Sequence, residues 1–260
     1  MEDASHAIAL TVAYAGGGFA GFARQEGPQT VQGRLEGALH VLLGRDVETV
    51  GAGRTDAGVH ALGQVVSFEA ADGEFDPASL GRSLTALAGP GIVVREVRRA
   101  RRGFSARFDA TAREYRYRIV QGGVAPLFLA DLSWWVKKDL DLEAMREGAR
   151  LLVGEHDFRS FCVAESAEGK RTVRRVGQIE IFEETQLGET CVVVRVAGNA
   201  FLHSMVRVIV GTLAEVGLGR RAPSWVGEAL EARTRTAAGQ TAPAQGLTLW
   251  SVTYPDEVWL

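Results

Sequence analysis

Apolar and polar residues along the chain recur in two rhythms, one of period two and one of period three to four. Ile8–Tyr14 (IALTVAY) reads as a strand, and the GGGFAG that follows as a sharply bending loop. Val31, Leu35, Ala38, Leu39 and Leu42 then recur at helical spacing, with Thr30 placed to cap the helix. Glu48–Gly51 and Gly63–Phe68 predict two strands, Pro77–Leu87 a second helix and Ile92–Val97 another strand. The first half is thus β-α-β-β-α-β. The second half partly echoes it: strand Tyr115–Val120, helix Leu142–Val153, and strands Val173–Phe182 and Thr190–Ala197. A long apolar helix over Asn199–Val216, a short one over Ser224–Ala232 and a closing strand Leu247–Tyr254 complete it. The expectation is an α+β fold of two similar halves, 1–110 and 111–260, sharing a mixed, mostly antiparallel central sheet, with a site in the cleft between them.

Composition changes this picture little. The 260 residues are 46% hydrophobic and 23% charged, as in ordinary globular chains. The N-terminus MEDASHAIAL lacks the basic run of a signal peptide, and no apolar stretch approaches ~20 residues, so neither secretion nor a membrane span is expected. Cys162 and Cys191 form no C-x-x-C pair, which suits free thiols in a reducing cytoplasm.

Charge distribution says more than the net charge of −3. Arg95, 98, 99, 101, 102, 107, 113, 116 and 118 stand against Glu96, Asp109 and Glu114, so this window is +6 within a chain that is −9 elsewhere. A basic stripe on an acidic protein is the footprint of a polyanion groove. The chain has only three lysines (137, 138, 170), so a general preference for arginine accounts for part of the signal.

Three stretches carry candidate chemistry. In GAGRTDAGVHALGQVVSFE (Gly51–Glu69), Asp56 occupies a Gly-flanked loop. A dinucleotide fingerprint needs Gly where Asp56 stands, and a P-loop needs Gly-Lys-Ser/Thr, so both phosphate-loop readings fail. Asp56 as turn former and Asp56 as functional acid both survive, although the surrounding small residues leave room for a ligand. The second stretch is FLHSMVRVIVGTL, where apolar residues occupy nearly every face of a helix and strand the charge of Arg207 mid-helix. A buried guanidinium needs a carboxylate partner or must snorkel to an edge; the mid-helix position favours a paired, site-facing arginine. In the third, AREYRY (Ala112–Tyr117), Tyr115 and Tyr117 share one strand face and Arg116 and Arg118 the other. Such a face suits an unstacked base, and it equally suits two core tyrosines with satisfied hydroxyls.

Gly53-Arg54-Thr55-Asp56-Ala57-Gly58-Val59-His60-Ala61 resembles the central motif of the tRNA pseudouridine synthase A family. Thr30–Gly33, Phe104–Phe108, Ala112–Tyr117, Gly154–Phe158, Gly198–Arg207 and Ala242–Leu247 resemble further family segments, in family order and over nearly the whole chain. The resemblance implies the pseudouridine synthase fold, a homodimer with an RNA-binding cleft, and isomerisation of uridine to pseudouridine at positions 38 to 40 of the tRNA anticodon stem-loop. It implies Asp56 as the essential catalytic aspartate and Arg207 as the basic residue that pairs with it. Tyr115 is then the ring that packs on the target uracil, Leu247 a pocket residue, and Arg54 a holder of the flipped nucleotide. Arg107, Arg113 and Arg116 become candidates for RNA contact. No metal or redox cofactor is called for, because the reaction rearranges atoms without net electron transfer.

The chain departs from the family pattern at Ala15 and Ala23, where Asp and Gln are usual; this bears on how the N-terminal loop positions RNA and on the target range. Two other readings compete. A non-catalytic tRNA-binding module on the same scaffold is opposed by the intact Asp56, Arg207 and Tyr115. A metal-dependent RNA enzyme using His60, His156, His203 or Cys162 lacks any close ligand spacing, and His156-Asp157 reads better as a structural cap or loop contact.

Overall fold

The computed structural model describes residues 5–71 and 73–260. It divides into two compact units: residues up to Ala112 together with Leu249–Leu260, and Arg113–Thr248.

In the first unit, β1 (Ser5–Tyr14), α1 (Val31–Leu43), β2 (Val50–Gly51), β3 (His60–Ala71), α2 (Pro77–Ala88) and β4 (Ile92–Ala100) follow in order. β1 lies between β4 and β3, β2 flanks β3, and every pairing is antiparallel. Capping explains where the helices begin. Thr30 accepts from the Gly33 N–H at 3.2 Å, and the Asp76 carboxylate accepts from Ser79 N–H at 2.9 Å ahead of Pro77. Each such cap contributes about 1 kcal/mol. α1 ends at Gly44, whose φ of 66° places it in the left-handed region glycine favours. Val31, Leu35, Ala38 and Leu39 are the buried stripe of α1, and Leu80, Leu84 and Ala88 that of α2.

A separate cluster joins Ala7, Ala9 and Val65 to Phe104, Ala106 and Val258, with Val252, Tyr254 and Trp259 packed on it. The Phe104 ring meets Tyr254 at 5.1 Å and Trp259 at 5.4 Å, and the Tyr254 hydroxyl donates to the Ala106 carbonyl at 2.6 Å. This aromatic anchor is why Leu249–Leu260 belong with the first unit, whereas the sequence reading kept 111–260 together.

The second unit contains β5 (Ala112–Gln121), β6 (Trp134–Val136), α3 (Leu142–Arg150), β7 (Gly154–Asp157), α4 (Ala164–Ala167), β8 (Val173–Gln186), β9 (Glu189–Gly198), α5 (Met205–Gly217) and α6 (Trp225–Ala232). β10 (Leu247–Thr253) begins in this unit and ends in the first. The sheet runs β5-β9-β8-β7 with antiparallel pairs, and β6 adds in parallel to β5, so the sheet is mixed and mostly antiparallel as expected. β8 and β9 are joined by Leu187 and Gly188, both at positive φ (52° and 81°), the two-residue turn whose twist matches that of the flanking strands. α3 packs on α5 through small residues: a side chain at Gly148 would meet Leu213 and Val226, and one at Gly217 would meet Met145.

Four elements differ from the sequence expectation. β6, β7 and α4 are too short to show a period. The helix expected from Asn199 starts only at Met205, because Asn199 Oδ1 is committed to the N–H groups of Arg175 and Ala200 and Ser204 takes a left-handed conformation (φ 58°). Arg207 is therefore the third residue of α5, not a mid-helix charge. No helix among the described residues is long and apolar enough to cross a membrane.

Candidate active site

Asp56 sits at the first position of a tight turn. The Val59 N–H donates to the Asp56 carbonyl at 3.1 Å, and Gly58 at the third position has φ 81°, the type II form that requires glycine there. The side chain of Asp56 is half-buried and Arg54 is exposed. Turn former and functional acid are thus compatible roles: the turn is made by the backbone of Asp56 and does not require its carboxylate.

The loop after β1 presses on this turn. A side chain at Gly21 would come within 3.0 Å of the Thr55 carbonyl oxygen, and one at Gly16 would collide with the backbone of Gly58 and Val59. The Phe22 N–H donates to the Thr55 carbonyl at 3.1 Å, and the Gly16 N–H donates to His60 Nδ1 at 3.1 Å. His60 is thereby held as the tautomer whose Nδ1 accepts. The glycines of GGGFAG are space requirements of the Asp56 turn, which periodicity could not reveal.

In the second unit, three separate stretches converge. The Tyr115 ring is buried and meets Phe201 edge-on at 5.1 Å. Arg207 is half-buried; its Nε donates to the Ala242 carbonyl at 2.8 Å, while the Ala242 N–H donates back to the Arg207 carbonyl at 3.1 Å. Tyr117, fully buried, donates its hydroxyl to the Pro243 carbonyl at 2.8 Å, and Gly246 lies so close that a side chain there would enter the Tyr117 ring. Leu247 follows at once and is buried. Burial pushes the Tyr117 hydroxyl far above the usual phenol range despite the opposing charge of Arg207, so Tyr117 is a structural hydrogen-bond donor. The two tyrosines of AREYRY thus differ: Tyr117 is a core residue tied to Pro243, and Tyr115 packs against the segment that leads into α5.

The arginine stripe splits in two. Arg95, Arg98, Arg99, Arg101, Arg102 and Arg107 are exposed on the first unit, with Arg98 lying over the Trp259 ring at 3.9 Å and Arg101 paired with Asp109 at 2.8 Å. In the second unit Arg113 is buried and donates to the Asn199 carbonyl at 2.7 Å. Arg118 is buried 3.4 Å from Glu184. Arg116 is half-buried and bonds Glu114 at 3.0 Å. These three cations stabilise the sheet.

Glu114 takes a second cation, Arg195, at 2.9 Å. Burial alone would raise the Glu114 pKa, but the hydrogen bonds from Arg195 and Arg116 outweigh it and hold the carboxyl below the usual range. A carboxyl depressed in the folded state stabilises above its unfolded pKa and loses that contribution as pH falls through the folded value. Glu114→Gln should accordingly melt below wild type at neutral pH, and the gap should begin to narrow as pH falls past about 4.3, the value of an unfolded glutamate, and close only below the depressed folded value; calorimetry across that range reads it.

His156, Asp157 and the cysteines serve elsewhere. His156 Nε2 lies 3.1 Å from the Val153 carbonyl oxygen, Asp157 accepts from the Arg159 N–H and the Thr172 hydroxyl at the end of β7, and both cysteines are free and buried. Among the described residues no three His, Cys, Asp or Glu side chains converge in a metal-binding group. Sequence reasoning missed Tyr14, Thr55 and Gln64, which surround the Asp56 turn. A tyrosine ending one strand and a lone amide inside the apolar run GQVVSF were their only signals.

A family model described as tRNA pseudouridine synthase matches residues 10–109 and 149–255. The chain is 45% identical over 250 residues to tRNA pseudouridine synthase A of Brevibacillus brevis, covering 95% of this chain and 99% of that protein. It is 41% identical over 253 residues to the protein of that name from Geobacillus sp. (97% and 100% covered). With that of Methylococcus capsulatus the identity is 42% over 253 residues (97% and 91% covered).

Proposed function

Because the chain belongs to the tRNA pseudouridine synthase family, we propose that it isomerises uridine to pseudouridine in tRNA, at positions 38 to 40 of the anticodon stem-loop, with Asp56 as the catalytic carboxylate. The observation that carries the reading is the Asp56 turn. Its backbone is hydrogen-bonded at Thr55 and across Asp56–Val59, and its carboxylate is half-buried, which is what a preorganised reacting group requires.

In the reaction the N1–C1′ bond of the target breaks, the base turns, C5 bonds to C1′, the C5 proton leaves and N1 gains one. No electrons are gained or lost overall, so neither metal nor redox cofactor enters. The nucleotide must leave the stem first, at a cost of a few kcal/mol that stacking and phosphate contacts offset. Asp56 has three chemical routes open to it: addition to the base, attack on the sugar carbon, or assistance to deprotonation. All three use the ionised form. Tyr115, Arg54, Arg207 and Leu247 hold the extruded uridine, and Tyr115 is placed by the same reading to take the C5 proton directly or through water. Arg107, exposed on the first unit, contacts RNA phosphate, whereas Arg113 and Arg116 support RNA binding by fixing β5. The enzyme acts as a cytoplasmic homodimer. Exposed Leu127 and Phe128, whose N–H groups bond the Glu189 carboxylate beside the hairpin carrying exposed Leu187, offer apolar surface for such an assembly.

Primer-extension mapping of an unmodified tRNA transcript incubated with the purified protein alone tests this. Pseudouridine stops are expected in the anticodon arm and should vanish when the uridines at 38 to 40 are replaced by cytidine. Stops elsewhere in the tRNA would refute the positional assignment, and no stops at all would refute the reaction.

A further inference from the structure

We infer that Tyr14, Thr55 and Gln64 form a positioning device for the Asp56 carboxylate; the inference rests on the catalytic reading of Asp56. Tyr14 ends β1 and Gln64 lies on β3; both are buried, Gln64 completely. Thr55, also buried, immediately precedes Asp56. The Tyr14 hydroxyl is 2.7 Å from Thr55 Oγ1. Gln64 Nε2 donates to the Gly53 carbonyl at 2.7 Å and reaches the Tyr14 hydroxyl at 3.4 Å. Only the NH2 end of an amide can donate to a carbonyl, so the Gln64 amide has one orientation. Its second hydrogen points to Tyr14, whose hydroxyl shares with Thr55 Oγ1 a hydrogen bond that either oxygen can donate. The chain Gln64, Tyr14, Thr55 is continuous, and it ends one residue before Asp56.

The placement argues for a task beyond holding the fold. Buried polar side chains are costly unless satisfied, and apolar residues would fill a sheet interior at less risk. Here three of them converge on Gly53–Thr55, the approach to the turn. A segment containing Gly51, Gly53 and Gly58 is intrinsically free to move. The network removes that freedom on the N-terminal side of Asp56, while the Asp56–Val59 turn and the Gly16–His60 hydrogen bond fix the other side.

The test compares wild type, Tyr14→Phe, Thr55→Val, Thr55→Ser and the Tyr14→Phe/Thr55→Val double variant, by steady-state pseudouridine formation on a tRNA transcript. Tyr14→Phe and Thr55→Val should each lower kcat about 10- to 100-fold, since small displacements of a reacting group cost that much, with KM within about twofold of wild type. The double variant should be no slower than the slower single variant, because all three lose the same Tyr14–Thr55 hydrogen bond and Tyr14→Phe already removes the Gln64 contact as well. Thr55→Ser, which keeps the hydroxyl, should restore most of the rate. Rates are taken where circular dichroism shows every variant folded, so a loss that disappears on cooling counts as lost folding and overturns the proposal. Wild-type kcat in both single variants, a change confined to KM, or multiplicative losses in the double variant would overturn it as well. An inactive wild type would instead refute the proposed function.

Discussion

Asp56→Asn is expected to abolish pseudouridine formation, with a loss of at least about 10⁴-fold, while the protein keeps its fold and its affinity for tRNA. The amide is nearly isosteric with the carboxylate, and the turn depends on the Asp56 carbonyl, which the substitution leaves in place. Melting temperature should therefore move little. What disappears is the negative charge and the nucleophilic or basic oxygen that each of the three routes requires. Primer-extension mapping at long incubation, beside a gel-shift measurement of tRNA binding, separates the outcomes. Bound tRNA without product supports catalysis by Asp56. Product at the wild-type rate sinks that assignment. A collapse of binding and of melting temperature together would recast Asp56 as a structural residue.

The second large effect belongs to Arg207. In the first turn of α5 its charge lies at the positive end of the helix macrodipole, an unfavourable place for a cation. A methionine there would relieve that repulsion and suit the apolar helix. The structure keeps the guanidinium and binds its Nε to the Ala242 carbonyl of a fully buried residue. Arg207→Met should lower kcat on the order of 100- to 1,000-fold, the usual cost of removing one charged group that stabilises a reacting centre. Losing the hydrogen bond to Ala242 should also cost about 1–3 kcal/mol of stability. Arg207→Lys, which keeps the charge without the fork, should fall between the two in rate. Kinetics read beside calorimetry decide: an unchanged kcat in a destabilised Arg207→Met protein would remove Arg207 from the chemistry.

The legible part of the fold was local. Alternation marked β1 and β5, helical spacing marked α1, and Thr30 acts as the expected cap. The identity of the candidate residues was legible too, from ordered motifs spread along the chain. Illegible features came from distant partners. Tyr14 and Gln64 stand 50 positions apart in sequence, so neither announces the other. The arginine stripe looked continuous because sequence shows charge without showing burial. Arg113 and Arg118 are buried by strand pairings, and Glu184, the partner of Arg118, lies on β8. The late start of α5 hangs on two short side chains, Asn199 and Ser204, in a segment whose apolar pattern says helix throughout.

The return of Leu249–Leu260 to the first unit bears on how the protein is made. Ala7, Ala9 and Val65 leave the ribosome well before Val252, Tyr254, Val258 and Trp259, which cover their cluster. The first unit is thus begun before the second and finished after it, and its apolar face must wait through synthesis of the entire second unit. Closing it joins residues some 150 positions apart, such as Phe104 and Tyr254, the kind of non-local contact that slows folding. The Asp56 turn therefore belongs to a body that is complete only after Leu249–Leu260 have emerged.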